Sequence, residues 1–359
     1  MSPESIPFHC LKQQRYQPEV VTRISLVPNI SDSDLKFSSA VDPFEMDQNK
    51  ILCSKSIRRL TDKTQVFFDI NNPHVRNRLS HTHEVTATAN TIGQSLGLNT
   101  ELTKASALGH DLGHGPGGHM FEQVSHELGI EFFHERFSGI ISTFIERNGS
   151  GLNLTKETIN GILEHSRGSG ELYHNNKSIN ENLVIMYSDK ITSIFSDIND
   201  LRRFDLISES DYRLIDSYFP GTQRDRINQC IFALIRESAT SGKVSFSDSN
   251  TAVKFRQVKD IMYSYYEKKL NRQALAETIK SVYNCIDHIP QLQKYDPPIV
   301  VALMTDEELK KLGAIADSRR VNFEDIKNFG VFELIETEFL EHQTYSDLDT
   351  RLQQQIDSN

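Results

Sequence analysis

Cysteine is scarce: Cys10, Cys53, Cys230 and Cys285 are the four in 359 residues. None has the close paired spacing of a zinc or redox motif, so thiolate metal knots and dithiol chemistry are not expected and a reducing cytoplasm is the natural setting. No stretch approaches the roughly 18 consecutive apolar residues of a membrane span. The opening MSPESIPFHC also lacks the basic-then-apolar order of a secretory leader. Positive charge is in deficit, 39 Lys and Arg against 49 Asp and Glu, a net charge of −10. Broad nonspecific binding to nucleic acid needs a basic surface that displaces counterions, so nucleic acid is not expected as the main partner. Strand signals, internal repeats and low-complexity segments are nearly missing too. What remains is the balance of a soluble globular protein, 37% hydrophobic and 25% charged, long enough for one large domain or two ordinary ones.

Five of the eleven prolines fall in residues 1–50 with little periodicity, which predicts an extended N-terminal arm. Residues 51–205 turn helical: Val85, Ala89, Ile92 and Leu96 recur at three- to four-residue steps before Gly97. Asn99 or Thr100 caps a following helix with Leu102, Ala105 and Leu108 on its apolar face. Helices are further expected near His119, over 134–146, over 155–165 and over 179–201, the last with a stripe of Leu183, Tyr187, Ile191, Ile194, Ile198 and Leu201. Residues 206–359 read as an additional helical region, including a long helix over 258–289, a loose alternation over 321–334 that suits a small strand pair, and a polar tail from Tyr345 that frays. The fold class is all-α.

Seven of the thirteen histidines lie between His81 and His134. The densest part is His110, Asp111, Leu112, Gly113, His114, Gly115, Pro116, Gly117, Gly118 and His119, followed by Glu122. Imidazole and carboxylate together suit Mn²⁺, Fe²⁺, Co²⁺, Zn²⁺ or Mg²⁺, and glycines let the ligands approach a compact ion. Unpaired in a core, such a string is costly, so a bound divalent metal ion is the economical reading. Residues 51–80 carry Lys55, Arg58, Arg59, Lys63, Arg76 and Arg78 against Asp62 and Asp69, which is +4 in a chain of −10 and marks a local anion site. On the helix over 179–201, Asp189, Ser193 and Asp197 repeat at four-residue steps and share one polar face.

The stretches SKSIRRLTDKTQVF (54–67), HVRNRLSHTHEV (74–85), ALGHDLGHGPGGHMFE (107–122) and YSDKITSIFSD (187–197) resemble, in order and spacing, the HD-domain deoxynucleoside triphosphate triphosphohydrolases, the dGTPase-like family. The resemblance covers about 150 residues, with VVALMTDEEL (300–309) a fainter later match. It implies an HD-domain helical core and metal-dependent hydrolysis of a deoxynucleoside triphosphate to deoxynucleoside and inorganic triphosphate. Carried over residue by residue, the metal ligands are His81, His110, Asp111 and Asp189. The acid and base residues are His114, His119, Glu122 and His134; phosphate and sugar contacts are Arg58, Gln65, Arg78, Lys190 and Asp197. The family also implies homo-oligomers.

Two positions depart from the family: Ser193 stands where a Tyr is common, and Gly117 where a Phe is common. Both remove bulk beside the substrate and leave the sugar and base open. The competing readings are an HD phosphohydrolase for another nucleotide and a catalytically silent nucleotide sensor. The intact ligand string argues against silence. His83, His126 and His165 are expected to be structural or to support the site residues from behind.

Overall fold

A computed structural model describes residues 9–17, 22–24, 40–69, 72–166, 178–266 and 272–358. It is all-α, and the strands among the described residues are the antiparallel pair Arg23–Ile24 with Leu154–Thr155. None of its described helices is long and apolar enough to cross a membrane. The chain divides into two compact units, each assembled from segments distant in sequence.

One unit comprises residues 1–19, 81–107 and 164–269. Its long helix Asn180–Arg203 packs against Gln223–Ser241 and Asn250–Tyr266. Every residue of the expected stripe from Leu183 to Leu201 is buried, and Phe195, Phe219, Phe246 and Phe255 fill the contact with tilted and edge-on rings. Burial of one such ring contributes about 1.5–3 kcal/mol. Asn99 caps the helix Thr100–Gly109 by accepting from Leu102 N at 3.1 Å, while its own N–H donates to the buried Glu181 at 3.0 Å.

The other unit comprises residues 20–80, 108–163 and 270–359. Helix Arg272–Asp287 packs against His119–Glu127, Pro297–Leu303 and Asp306–Ser318. Phe121, Phe132, Phe137, Tyr283 and Tyr345 make the aromatic core beneath the histidine-rich turn. The helices Arg272–Asp287 and Tyr345–Ser358 therefore back the segments that carry His119, Glu122 and His134.

Several sequence expectations change. Within the expected arm, Pro43–Leu52 is a helix: Asp42 accepts from Phe44 N at 2.9 Å and Glu45 N at 3.3 Å, and Pro43 takes the first helical position, where its missing N–H costs nothing. Residues 321–334 are no strand pair. They form the short helical turns Phe323–Ile326, begun by an Asn322/Asp325 capping box, and Phe332–Ile335. The tail is the helix Tyr345–Ser358, anchored by buried Tyr345, Leu348 and Leu352. The helix beginning at His134 passes at Ile141 into a π turn, and the region 258–289 holds parts of two helices, Asn250–Tyr266 and Arg272–Asp287. Leu270 of the expected stripe lies outside the described residues.

Candidate active site

Arg78 opens the helix Arg78–Leu96 and is almost wholly buried at 2% exposure. A buried guanidinium needs partners for its fixed fork of donors. It donates to Asp111 Oδ2 at 2.9 Å and to Thr64 O at 3.1 Å. Asp111 Oδ1 lies 3.4 Å from His110 Nε2 and 3.2 Å from His114 Nε2. Burial alone would raise the Asp111 carboxyl, but His110, Arg78 and His114 overcome it and hold the group well below the usual range. Asp111 is therefore a carboxylate at any working pH. Gly118 sits at φ +63° in this turn, and a Cβ there would meet Arg78 Nη2 at 2.7 Å, so the turn needs glycine both for its backbone angle and for the close approach.

The glycine turn delivers His114 and His119 to Glu122 and His134. Donor atoms of the four all lie within 4.8 Å of one another. Glu122 accepts from His134 Nδ1 at 2.6 Å and from the His134 backbone N–H at 2.7 Å, and meets His119 Nδ1 at 3.0 Å. The His114 and His134 rings stack with centroids 3.8 Å apart and planes 15° apart. An imidazole lone pair lies in its ring plane, so two nearly parallel rings cannot aim at one ion. As arranged, the four suit proton handling rather than coordination.

Burial pushes the His114 imidazole well below its usual pKa, with Arg78 and His134 adding to the effect against Asp111. It is neutral, and its Nδ1 is buried without a hydrogen-bond partner. His134 goes the other way: burial opposes its charge, but Glu122 dominates and, with Glu135 and Asp111, holds it up at about 9. Glu122, despite burial, is kept well below the carboxylate range by His134 and His119. The cluster thus holds an imidazolium, its carboxylate counter-ion and a neutral imidazole side by side.

In the unit containing residues 81–107, His81 Nε2 lies 3.1 Å from Asp189 Oδ1, and Ser193 donates to Asp189 at 3.0 Å. Asp197 is buried and accepts from Tyr266 OH at 2.5 Å, while Lys190 donates to Tyr263 OH at 3.4 Å. The polar face expected at 189, 193 and 197 is present. Each unit sets an imidazole beside a carboxylate, a mixed nitrogen and oxygen donor set that fits a borderline divalent cation.

Gln65 is buried, and its Oε1 has no hydrogen-bond partner. Arg58 stands apart, exposed and bonded to Cys53 O at 3.1 Å. His126 Nε2 meets Phe132 O at 2.9 Å. Sequence reasoning missed Asp306, Ser138 and Tyr266, and it places Lys63 in an anion site where the structure spends its ammonium on the His114 and Ala302 carbonyls. Ser138 Oγ accepts from Gly113 N at 2.8 Å and lies 2.8 Å from His110 O, joining the two ends of the turn. The faint match at 300–309 was the one available signal for Asp306.

Residues 78–194 match the HD domain family. A deoxyguanosinetriphosphate triphosphohydrolase-like protein of Clostridium perfringens (strain SM101 / Type A) is 36% identical over 265 residues, 70% of this chain and 77% of the relative. One from Clostridium tetani is 40% identical over 206 residues, covering 55% of this chain and 59% of the relative. A third, from Caldanaerobacter subterraneus subsp. tengcongensis, is 44% identical over 169 residues, covering 47% and 48%. The chain thus spans from about half to about three quarters of the length of these curated relatives.

Proposed function

The chain belongs to the HD-domain deoxyguanosinetriphosphate triphosphohydrolase-like family, and from that premise we propose that it is a metal-dependent hydrolase releasing deoxynucleoside and inorganic triphosphate from deoxynucleoside triphosphates. The observation that carries this reading is the Glu122-centred histidine cluster beside the buried Arg78 and Asp111 pair.

The resemblance assigns the metal to His81, His110, Asp111 and Asp189, and imidazoles with carboxylates suit Mn²⁺, Fe²⁺, Co²⁺, Zn²⁺ or Mg²⁺. Such an ion, when bound, lowers the pKa of a water and neutralises phosphate charge. Arg78 is the cation for the phosphate nearest the sugar, and Lys190 serves the phosphate chain. His119 has Nδ1 committed to Glu122, which leaves its Nε2 edge for proton transfer at the departing oxygen. His134 keeps a proton in reserve under the Glu122 carboxylate, and neutral His114 is fit to accept one. Gln65 Oε1, buried and without a partner in the protein, is an acceptor for a sugar hydroxyl, with Asp197 the second sugar contact. The same reading carries Arg58 as a phosphate contact, assembly into homo-oligomers and a cytoplasmic setting.

The test is to incubate the protein with each of the four deoxynucleoside triphosphates and ribonucleotide controls, with Mg²⁺, Mn²⁺ or Co²⁺, and to identify products by ³¹P NMR. Inorganic triphosphate is the expected product. Diphosphate and orthophosphate alone would reject the assignment.

A further inference from the structure

Lys63 and Asp306 carry charge into the core next to the histidine-rich turn, and the chemistry above uses neither. Both are buried, at 3% and 8% exposure. Lys63 Nζ donates to the backbone carbonyls of His114 and Ala302. Asp306 accepts from Gly117 N at 2.8 Å through Oδ1, and from Thr64 N at 2.8 Å and the Thr64 hydroxyl through Oδ2. Thr64 O in turn accepts from Arg78 Nε at 3.1 Å. Burial, aided by Arg59, pushes the Lys63 ammonium down to about 7, while Asp306 and Glu308 pull it up.

Burying two ionisable groups costs several kcal/mol each before partners are counted, and well-packed apolar residues would fill the same space without that cost. The return is geometric. These bonds from the two side chains end on the turn 114–117, on Thr64 or on Ala302 near the end of the helix Pro297–Leu303. We infer that Lys63 and Asp306 are positioning residues, forming one buried strut that sets the His114 to Gly117 turn against the Thr64 segment bracing Arg78. The inference rests on the hydrolase reading above for its consequence in catalysis, but not for the strut itself. Lys63 grips the turn at His114, and Asp306 grips it three residues later at Gly117. With both in place, His114 is held from its own carbonyl while the segment beneath Arg78 is held from the same carboxylate. A misplacement on the order of 1 Å at such a site costs about 10²-fold in rate.

The experiment uses full-length Lys63→Met, which keeps the bulk and removes the donors, and Asp306→Asn, which sets an amide NH₂ against an N–H it should accept from. Hydrogen–deuterium exchange, followed by mass spectrometry without substrate, is expected to show lost protection in peptides covering 107–122, and in Asp306→Asn also 60–68, with 223–241 unchanged. Kinetics on the best-cleaved deoxynucleoside triphosphate should show kcat down about 10- to 100-fold in Lys63→Met, with KM and metal content held. The two substitutions together should cost less in kcat than the product of their separate effects. Lost protection spread evenly over all peptides, a wild-type kcat in Lys63→Met, or multiplicative losses in the double variant would each overturn the strut. Wild-type protein that cleaves no deoxynucleoside triphosphate would overturn the hydrolase reading, a different failure, because exchange is read without turnover.

Discussion

Glu122 holds His134 twice, through the ring Nδ1 at 2.6 Å and through the backbone N–H at 2.7 Å. The double grip fixes the ring and also its charge, since the carboxylate overrides the burial that would otherwise strip the proton from His134. Glu122 at once faces His119 Nδ1 at 3.0 Å, so one carboxylate governs two imidazoles. His119 is exposed and His134 buried, which fits the pair to the separate roles proposed for them at substrate and as proton reserve.

The first prediction concerns pH. His134 is raised to about 9 from the ordinary 6.5, so the stabilisation from its pairing is full below about 6.5 and is lost as pH rises through about 9. The kcat profile of the wild type should therefore fall on an alkaline limb near 9. In Glu122→Gln the charge is gone and burial wins, so that limb should move down by at least about one unit. The melting-temperature gap between wild type and variant should also shrink from pH 7 to pH 9.5. A limb that stays in place after the substitution would reject His134 as the titrating group.

The second prediction separates holding the metal from moving protons. His110→Ala removes a proposed ligand, so metal content should fall along with any stability that metal binding supplies. His114→Ala should keep the metal and lose about 10²- to 10⁴-fold in kcat, the span of general acid and base catalysis. Metal analysis and melting curves on both variants decide. Loss of metal in His114→Ala as complete as in His110→Ala would move His114 into the coordination shell.

The third prediction exploits the unpartnered acceptor of Gln65. A buried acceptor left unmade costs about 1–3 kcal/mol, so Gln65→Leu should raise the melting temperature or leave it unchanged. Losing a substrate hydrogen bond should cut kcat/KM for deoxynucleotides by roughly 10-fold, since 1.4 kcal/mol is a factor of ten. Wild-type protein should favour deoxyribose over ribose, and the variant should narrow that preference. A variant that melts earlier and keeps full kcat/KM would make Gln65 a structural residue.

Much of this site was legible in the sequence where the chemistry is local. His110 with Asp111, and His119 with Glu122, sit one or three residues apart, and the glycines between them announced a turn. The 3.6-residue stripe from Leu183 to Leu201 is buried throughout, because one apolar face facing one core leaves a periodic trace. Lys63 and Asp306 left no such trace. They meet the turn across separations of 51 and 189 residues, and a buried charge looks like any surface charge until its partners are known. The alternation over 321–334 misled because period two over a few residues also fits two short helical turns, and the Asn322 and Asp325 capping signal decided between them. Pro43 is one of the five prolines that suggest an extended arm, although Asp followed by Pro is also how a helix begins.

The last prediction turns on two glycines that differ in their surroundings. A Cβ at Gly113 would collide with the backbone N of Ser138 and the carbonyl of His134, groups in the first turn of the helix that carries His134. Backbone there cannot step aside without moving the His134 ring and the Glu122 bond. Gly113→Ala should therefore cost about 1–3 kcal/mol by overpacking, and shifting His134 on the order of 1 Å should lower kcat about 10²-fold. Gly129 is the control: it has φ +80° and nothing within 4 Å of a built Cβ. Alanine there meets only left-handed strain, about 1–2 kcal/mol. The two variants should lose comparable melting temperature, but Gly129→Ala should keep its kcat. Steady-state kinetics on both, at a temperature where each is folded, makes the comparison. Equal kcat in the two would show that the turn tolerates displacement and that the placement of His134 against it does not limit the reaction.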